Sequence, residues 1–182
     1  MRFISYKKEK IRNRKRIIVL IVSGIYVIII LPIIGIFISL YFDAFFGFSI
    51  LITTPFNIII AVIFLVVGFF WAIWANIELY RMGQGSPVPF KETQTRILVI
   101  RGPYEYTRNP MVFGYILIWI GMGFFFNSLF LTLGFTSIIT ILLIVLIKLW
   151  EEKNLEKRFG ESYVEYKKKI SFIIPLPRKK QK

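Results

Sequence analysis

From Met111 to Leu149 the chain reads MVFGYILIWIGMGFFFNSLFLTLGFTSIITILLIVLIKL, with a single charged residue, Lys148, next to its end. About 20 apolar residues cross the ~30 Å hydrocarbon core of a bilayer, so this run is long enough for two passages. Asn127-Ser128 divides it. Backbone N–H and C=O groups cannot be left bare in lipid, so both halves are expected to be helices, over about 111–126 and 129–149. The first half is slightly short and brings its flanks toward the interface.

Two more segments outside this block have the same character. Residues 56–77 form one, and residues 17–41 form another, interrupted only by Ser23 and Ser39 among polar residues. Pro32 and Gly35 are expected to kink the latter. A cleaved signal peptide is the competing reading of residues 1–41, but its apolar run is longer than the usual 7–15 residues and lacks an A-x-A-like site. The reading is therefore an all-α, polytopic membrane protein with about four transmembrane helices in one domain spanning residues 1–182. The length of 182 residues suits a single domain, and an apolar content of 56% excludes a disordered chain.

Charge sets the expected orientation. Residues 1–16 hold eight Lys/Arg, residues 81–108 hold five and residues 148–182 hold eleven, together all 24 in the chain. The two opposite connections, 42–55 and 127–128, hold none. Four spans put the N-terminus, the middle loop and the C-terminus on one side, and the positive-inside rule makes that side cytoplasmic. The net charge of +14 also suits nucleic acid. Its residues adjoin the spans, however, so topology and contact with anionic lipid are the better reading and no nucleic-acid partner is expected.

Cysteine and histidine are both absent. That removes disulfides, Cys/His zinc sites, thiol nucleophiles and Ser-His-Asp triads, and no metal is expected.

Two stretches on the basic side carry more than a connector needs. The middle loop, residues 81–110, contains Gly83-Gln84-Gly85-Ser86-Pro87 and then Arg101-Gly102-Pro103-Tyr104, followed by Arg108-Asn109-Pro110. Its Gly and Pro content reads as an ordered, turn-rich loop. Gly83 and Gly85 permit positive φ and close backbone approach to a ligand, although a plain helix C-cap explains a glycine there equally well. The second stretch begins with Glu151-Glu152 where hydrocarbon ends. Leu155, Phe159, Tyr163, Tyr166 and Ile170 then recur at spacings of three and four, which is one apolar face of a helix lying on the membrane or folded over the bundle. Gly160 is placed to split that helix. Adjacent acids at a span's end are either a solvated pair or receivers of a cationic ligand group. Glu78, near the end of the second span, either reaches the interface or meets a substrate head group.

The motif Arg101-Gly102-Pro103-Tyr104, Arg108-Asn109-Pro110 and Gly114, then Glu151-Glu152-x-x-Leu155, Phe159-Gly160 and Tyr163-x-x-Tyr166, resembles the isoprenylcysteine carboxyl methyltransferase-like membrane proteins. It is also similar to the phospholipid (phosphatidylethanolamine) N-methyltransferases. The resemblance covers residues 83–177 and implies a cytoplasmic-face pocket for S-adenosyl-L-methionine, built from the loop and the C-terminal interfacial helix. It places Gly83 and Gly85 on the cofactor-binding G-x-G. Arg108, Asn109, Pro110 and Gly114 fall on an Arg-His-Pro-x-Tyr-x-Gly motif, with Asn109 in place of His and Val112 in place of Tyr. Glu151 and Glu152 fall on the paired acids implicated in cofactor binding, and Tyr104 belongs with this cofactor group.

The implied reaction needs none of the missing residue types. Methyl transfer from a sulfonium is an in-line displacement with a neutral leaving group, promoted mainly by alignment. An amine acceptor must lose a proton, for which Glu152, Glu151 or Tyr104 is available. The carboxylates offset the sulfonium or the ammonium of the donor, Asn109 offers both a donor and acceptors, and Arg108 or Arg101 suits the donor's carboxylate. Glu152, Asn109 and Arg108 are the catalytic candidates, Glu78 is the substrate-binding candidate, and a membrane lipid or lipid-modified molecule is the expected acceptor. The alternative is a noncatalytic membrane scaffold or partner-binding protein that keeps the fold. A transport subunit would need polar residues inside the spans, and these are scarce.

Overall fold

The computed structural model describes residues 18, 21, 22, 24–48, 52–83 and 95–177. Among these residues there is no β-strand, only an isolated parallel bridge between Thr107 and Ser171. Five helices organise the chain: α1 (Leu31–Phe46), α2 (Phe56–Gly83), α3 (Pro110–Phe125), α4 (Phe130–Phe159) and α5 (Glu161–Lys169). A π-helical stretch, Tyr26–Ile30, leads into α1. This widening immediately precedes Pro32, which has no N–H with which to continue a regular ladder.

By length and composition α2 and α4 can each cross a bilayer, while α1 and α3 are shorter apolar helices. Only 17% of the most apolar stretch of α2 and 28% of that of α4 is buried within the molecule. A core helix of a water-soluble domain would be mostly covered. The outward faces instead show Val62, Val66, Phe70, Leu142 and Leu146, a surface suited to lipid.

α2 and α3 make the tightest pairing. Ala61, Gly68 and Ala75 recur every seven residues on α2 and are buried, as are Gly114 and Gly121 on α3. Spacing of seven keeps small residues on one helical face, so the backbones approach closely. A Cβ on Gly114 would stand 2.6 Å from the Gly68 carbonyl oxygen, and one on Gly121 would stand 3.1 Å from that of Ala61. α1 joins through Gly35, where the rings of Phe135 and Trp119 lie against the bare Cα. Trp119, Leu131 and Phe135 form the core at which α1, α3 and α4 meet.

The break at Asn127-Ser128 is a tight turn. Asn127 adopts a left-handed backbone, φ 54°, and its side chain clasps Ile52, accepting from the N–H at 3.2 Å and donating to the carbonyl at 3.1 Å. The first N–H groups of α4 lack intrahelical partners. Phe130 N–H donates to Asp43 Oδ1 at 2.9 Å and Leu131 N–H to Ser128 Oγ at 3.0 Å. The two ends of the bundle are therefore distinct, and Gly83, residues 95–109 and residues 150–177 gather at the other one.

Two helices run further than their apolar stretches. α2 continues past Ile77 to Gly83, and α4 continues past Leu149 to Phe159. Glu, Lys and Leu are good helix formers, and no Gly or Pro falls between Leu149 and Gly160. Gly160 does break it, with φ 56° and ψ −135°, a conformation open essentially to glycine alone. α5 then folds back, so that Tyr163, Tyr166 and Ile170 pack with Leu155, Phe159 and the loop residue Leu98. The apolar face expected at residues 155–170 is thus turned onto the protein itself.

Candidate active site

Residues 95–99 lie back against the end of α2. Arg96 N–H donates to the Gly83 carbonyl at 2.8 Å, and a Cβ on Gly83 would stand 2.9 Å from Thr95 Cγ2. Gly83 makes its close approach to Thr95 and Val99, and it remains helical rather than taking the positive φ considered for it. Gly85 lies outside the described residues. The left-handed position falls on Gly102 instead, φ 61°, where a Cβ would meet Glu78 Cγ at 3.3 Å and Trp74 Nε1 at 3.4 Å. This glycine lets the 3-10 turn Gly102–Glu105 lie against α2 at Glu78. Its sequence signal is the Gly-Pro pair.

The turn buries Tyr104 against Ala75 and Val99. Its backbone carbonyl accepts the Tyr166 hydroxyl at 2.7 Å, which ties α5 to the loop. Burial pushes the Tyr104 phenol well above its ordinary pKa, and the nearby charges of Glu151 and Glu78 push in the same direction. Tyr104 therefore keeps its proton at neutral pH.

Arg108 and Glu152 meet across the site as an ion pair, with guanidinium Nη1 on carboxylate Oε1. The Glu152 Oε2 atom faces Lys167 Nζ at 3.3 Å, and Lys167 also reaches Glu156 Oε1 at 2.7 Å. Tyr163 stands beside Arg108, with its own phenol raised first by burial and then by Glu152. Glu152 is thus spoken for by two cations. Arg108 keeps one buried donor, Nε, without a hydrogen-bond partner among the described residues.

Asn109 spends its side-chain NH2 on the Phe172 carbonyl at 2.8 Å, while its backbone N–H donates to Thr107 Oγ1 at 3.2 Å. Pro110 opens α3 and is buried, and Gly114 sits at the crossing with Gly68. Asn109, Pro110 and Gly114 therefore fix the direction of α3 and the loop.

Glu151 differs from its neighbour. It keeps solvent-accessible surface, and among the described residues it forms no ion pair. Desolvation by the protein around it raises its carboxyl pKa, and the Glu152 charge adds to the rise. α4 widens into a π-helical turn at Ile147–Glu151, with the Glu152 N–H reaching back to the Ile147 carbonyl. Such turns recur at functional sites. Adjacent helical residues already point about 100° apart. Glu152 faces Arg108 and Lys167, and Glu151 is the acid whose charge weighs most on Tyr104.

Glu78, Tyr104, Arg108, Glu151, Glu152 and Tyr163 thus converge from α2, the loop, the end of α4 and α5. Phe172 was not legible as part of this site from sequence. The residue packs its ring against Arg108 and Lys148, with centroid distances of 5.3 Å to each.

The sequence profile of the phospholipid methyltransferase family matches residues 56–162, which hold all six of these groups except Tyr163. Over 96 residues, 50% of this chain, the sequence is 32% identical to the methanethiol S-methyltransferase of Crocosphaera subtropica (strain ATCC 51142 / BH68). The match spans 35% of that relative's own length. No solved structure matches the chain. With its lipid-suited exterior and a family match over more than half its length, the chain is a membrane protein belonging to the phospholipid methyltransferase family.

Proposed function

We propose that this protein transfers a methyl group from S-adenosylmethionine to a lipid-like acceptor, at the cytoplasmic rim of a four-span bundle whose termini are both cytoplasmic. The observation that carries the reading is the pairing of one neutralised and one unpaired carboxylate. Glu152 is held by Arg108 and Lys167, whereas Glu151 has no cation of its own among the described residues. A cationic ligand group supplies the missing partner.

The donor's chemistry fits these residues. When bound, S-adenosylmethionine supplies an electrophilic methyl on a sulfonium, together with an ammonium and a carboxylate. Glu151 offers negative charge to a cationic group, and the buried Arg108 Nε–H is a free donor for an anionic or carbonyl oxygen. Tyr104, kept as a neutral phenol, can offer a hydrogen bond through its hydroxyl. The raised carboxyl of Glu151 makes it a better proton acceptor than an ordinary surface acid, which suits an amine nucleophile. Glu152 then serves to hold Arg108, a positioning role in place of the catalytic one expected from sequence.

The acceptor side is assigned to Glu78. Its neighbour Trp74 lies 5.7 Å from the Trp71 ring and 6.5 Å from that of Tyr106, so an apolar, aromatic wall adjoins the carboxylate. An amphiphile with a polar head suits such a wall.

Calorimetry of the detergent-solubilised protein with S-adenosylhomocysteine and S-adenosylmethionine tests the donor site. Micromolar binding that weakens in Glu151→Gln and Gly85→Leu supports it, and heats unchanged by both substitutions overturn it. Incubation with methyl-labelled S-adenosylmethionine and total membrane lipid tests the acceptor, with methanethiol run alongside. Label in the lipid extract is the expected result, and label transferred only to methanethiol rejects a lipid acceptor.

A further inference from the structure

The segment after α5 returns across the loop before α3 and grips it at every residue from Tyr106 to Asn109. The Tyr106 carbonyl accepts Leu176 N–H and Ser171 Oγ–H, each at 3.0 Å. Thr107 Oγ1 and Asn109 Nδ2 both donate to the Phe172 carbonyl, at 3.2 and 2.8 Å. Between them, Arg108 N–H donates to the Ser171 carbonyl at 2.9 Å. The Phe172 ring then lies beside the Arg108 guanidinium, 5.3 Å from its Cζ. One residue therefore holds both neighbours of Arg108 through its carbonyl and Arg108 itself through its ring.

The guanidinium needs such a hold. It is largely buried, with one donor on Glu152 and Nε unpartnered. A long flexible side chain loses its geometry unless its planar face is packed. Lys148 approaches the same ring at 5.3 Å. That cation comes from α4, three residues before Glu151, so the ring joins the loop to the helix that carries both acids.

We propose that Phe172 is a positioning residue for methyl transfer, fixing Arg108, and through it Glu152, in the arrangement that receives the methyl donor. The role rests on the donor-site reading above. Its backbone contacts survive any substitution that keeps the fold, so the ring is the part under test. Phe172→Leu retains an apolar side chain and removes the aromatic face, whereas Phe172→Tyr retains the face.

The experiment is a double-mutant cycle on S-adenosylhomocysteine affinity, measured by calorimetry on the full chain in detergent, with melting temperatures recorded for each variant. Loss of a partly buried cation–π contact is expected to weaken binding about three- to tenfold in Phe172→Leu, with Phe172→Tyr restoring it to within about twofold. In an Arg108→Met background, which has no cation to face the ring, the Leu substitution is expected to add little further loss, because its effect runs through Arg108. Equal affinity of Phe172→Leu and the unaltered protein overturns the proposal, as does a full additive loss in the Arg108→Met background. Should Phe172→Leu fail to fold, Phe172→Met makes the same comparison with an unbranched side chain. Absence of binding by the unaltered protein rejects the donor site and this role with it; binding that ignores the ring rejects Phe172 alone.

Discussion

The hydroxyl of Tyr166 donates to the backbone carbonyl of Tyr104 at 2.7 Å, joining groups 62 residues apart in a buried setting. The contact fastens the last helix onto the loop that follows α2. It holds together the two segments whose proximity any rim pocket requires. Tyr166→Phe removes the donor and keeps the ring. Leaving a buried carbonyl without its partner costs about 1–3 kcal/mol. Thermal melts of the detergent-solubilised variant are expected to show the loss, together with weaker S-adenosylhomocysteine binding.

The Arg108–Glu152 pair allows a sharper test. Removing one member of a buried pair typically costs about 3–5 kcal/mol, because the other charge is left uncompensated. Arg108→Met is expected near the lower end, since Lys167 still faces Glu152. Glu152→Leu leaves the Arg108 cation buried and is expected to be as harmful. The double variant should recover part of the loss, and a denaturation cycle in mixed micelles would show that non-additivity.

Glu151 predicts a pH dependence whose sign is fixed. Desolvation by the protein around it and the charge of Glu152 raise its carboxyl above 4.5, so the folded protein holds this proton more tightly than the unfolded chain. Stability from this group is then greatest below the unfolded value and falls as pH rises through the raised one. Glu151→Gln is expected to be neutral at the acid end of that window and stabilising above it, as melting temperatures across the range would show. Binding of the cationic S-adenosylmethionine should move the other way, strengthening as the carboxylate ionises. Equal affinity on both sides of the window would contradict the assignment.

The crossing of α2 and α3 predicts a contrast between two glycines. A side chain at Gly114 meets the Gly68 backbone oxygen and the Ala72 nitrogen, whereas one at Gly24 meets nothing within 4 Å. Gly114→Val should cost at least the ~1–3 kcal/mol of ordinary overpacking, because its neighbours are backbone. Gly24→Ala should be neutral or stabilising by up to ~1 kcal/mol, the difference in helix propensity. Unfolding in detergent separates the two.

The helical skeleton could be read from hydrophobic runs because lipid-suited helices need little else, and the turn at Asn127-Ser128 was visible as a polar pair inside an apolar block. Gly160 was legible for a related reason: it interrupts a run of good helix formers. Helix ends were less so, since Glu78 and Glu152 lie on helices that outlast their apolar stretches. The different partners of Glu151 and Glu152 depend on where Arg108 and Lys167 come to lie, which no local residue pattern announces. Phe172 acts through its carbonyl and ring in contacts formed only when the chain returns to residues 106–109. Gly114 shows that a motif does not separate binding from packing: the residue expected at a ligand lies at a helix crossing, against the Gly68 carbonyl.

The seam between α2 and α3 has a consequence for traffic. Two backbones in contact at Gly68 and Gly114 leave no slot through which an acyl tail could slide. On the proposed function, a greasy acceptor reaches the carboxylates by another flank, and widening that seam by mutation loosens the protein instead.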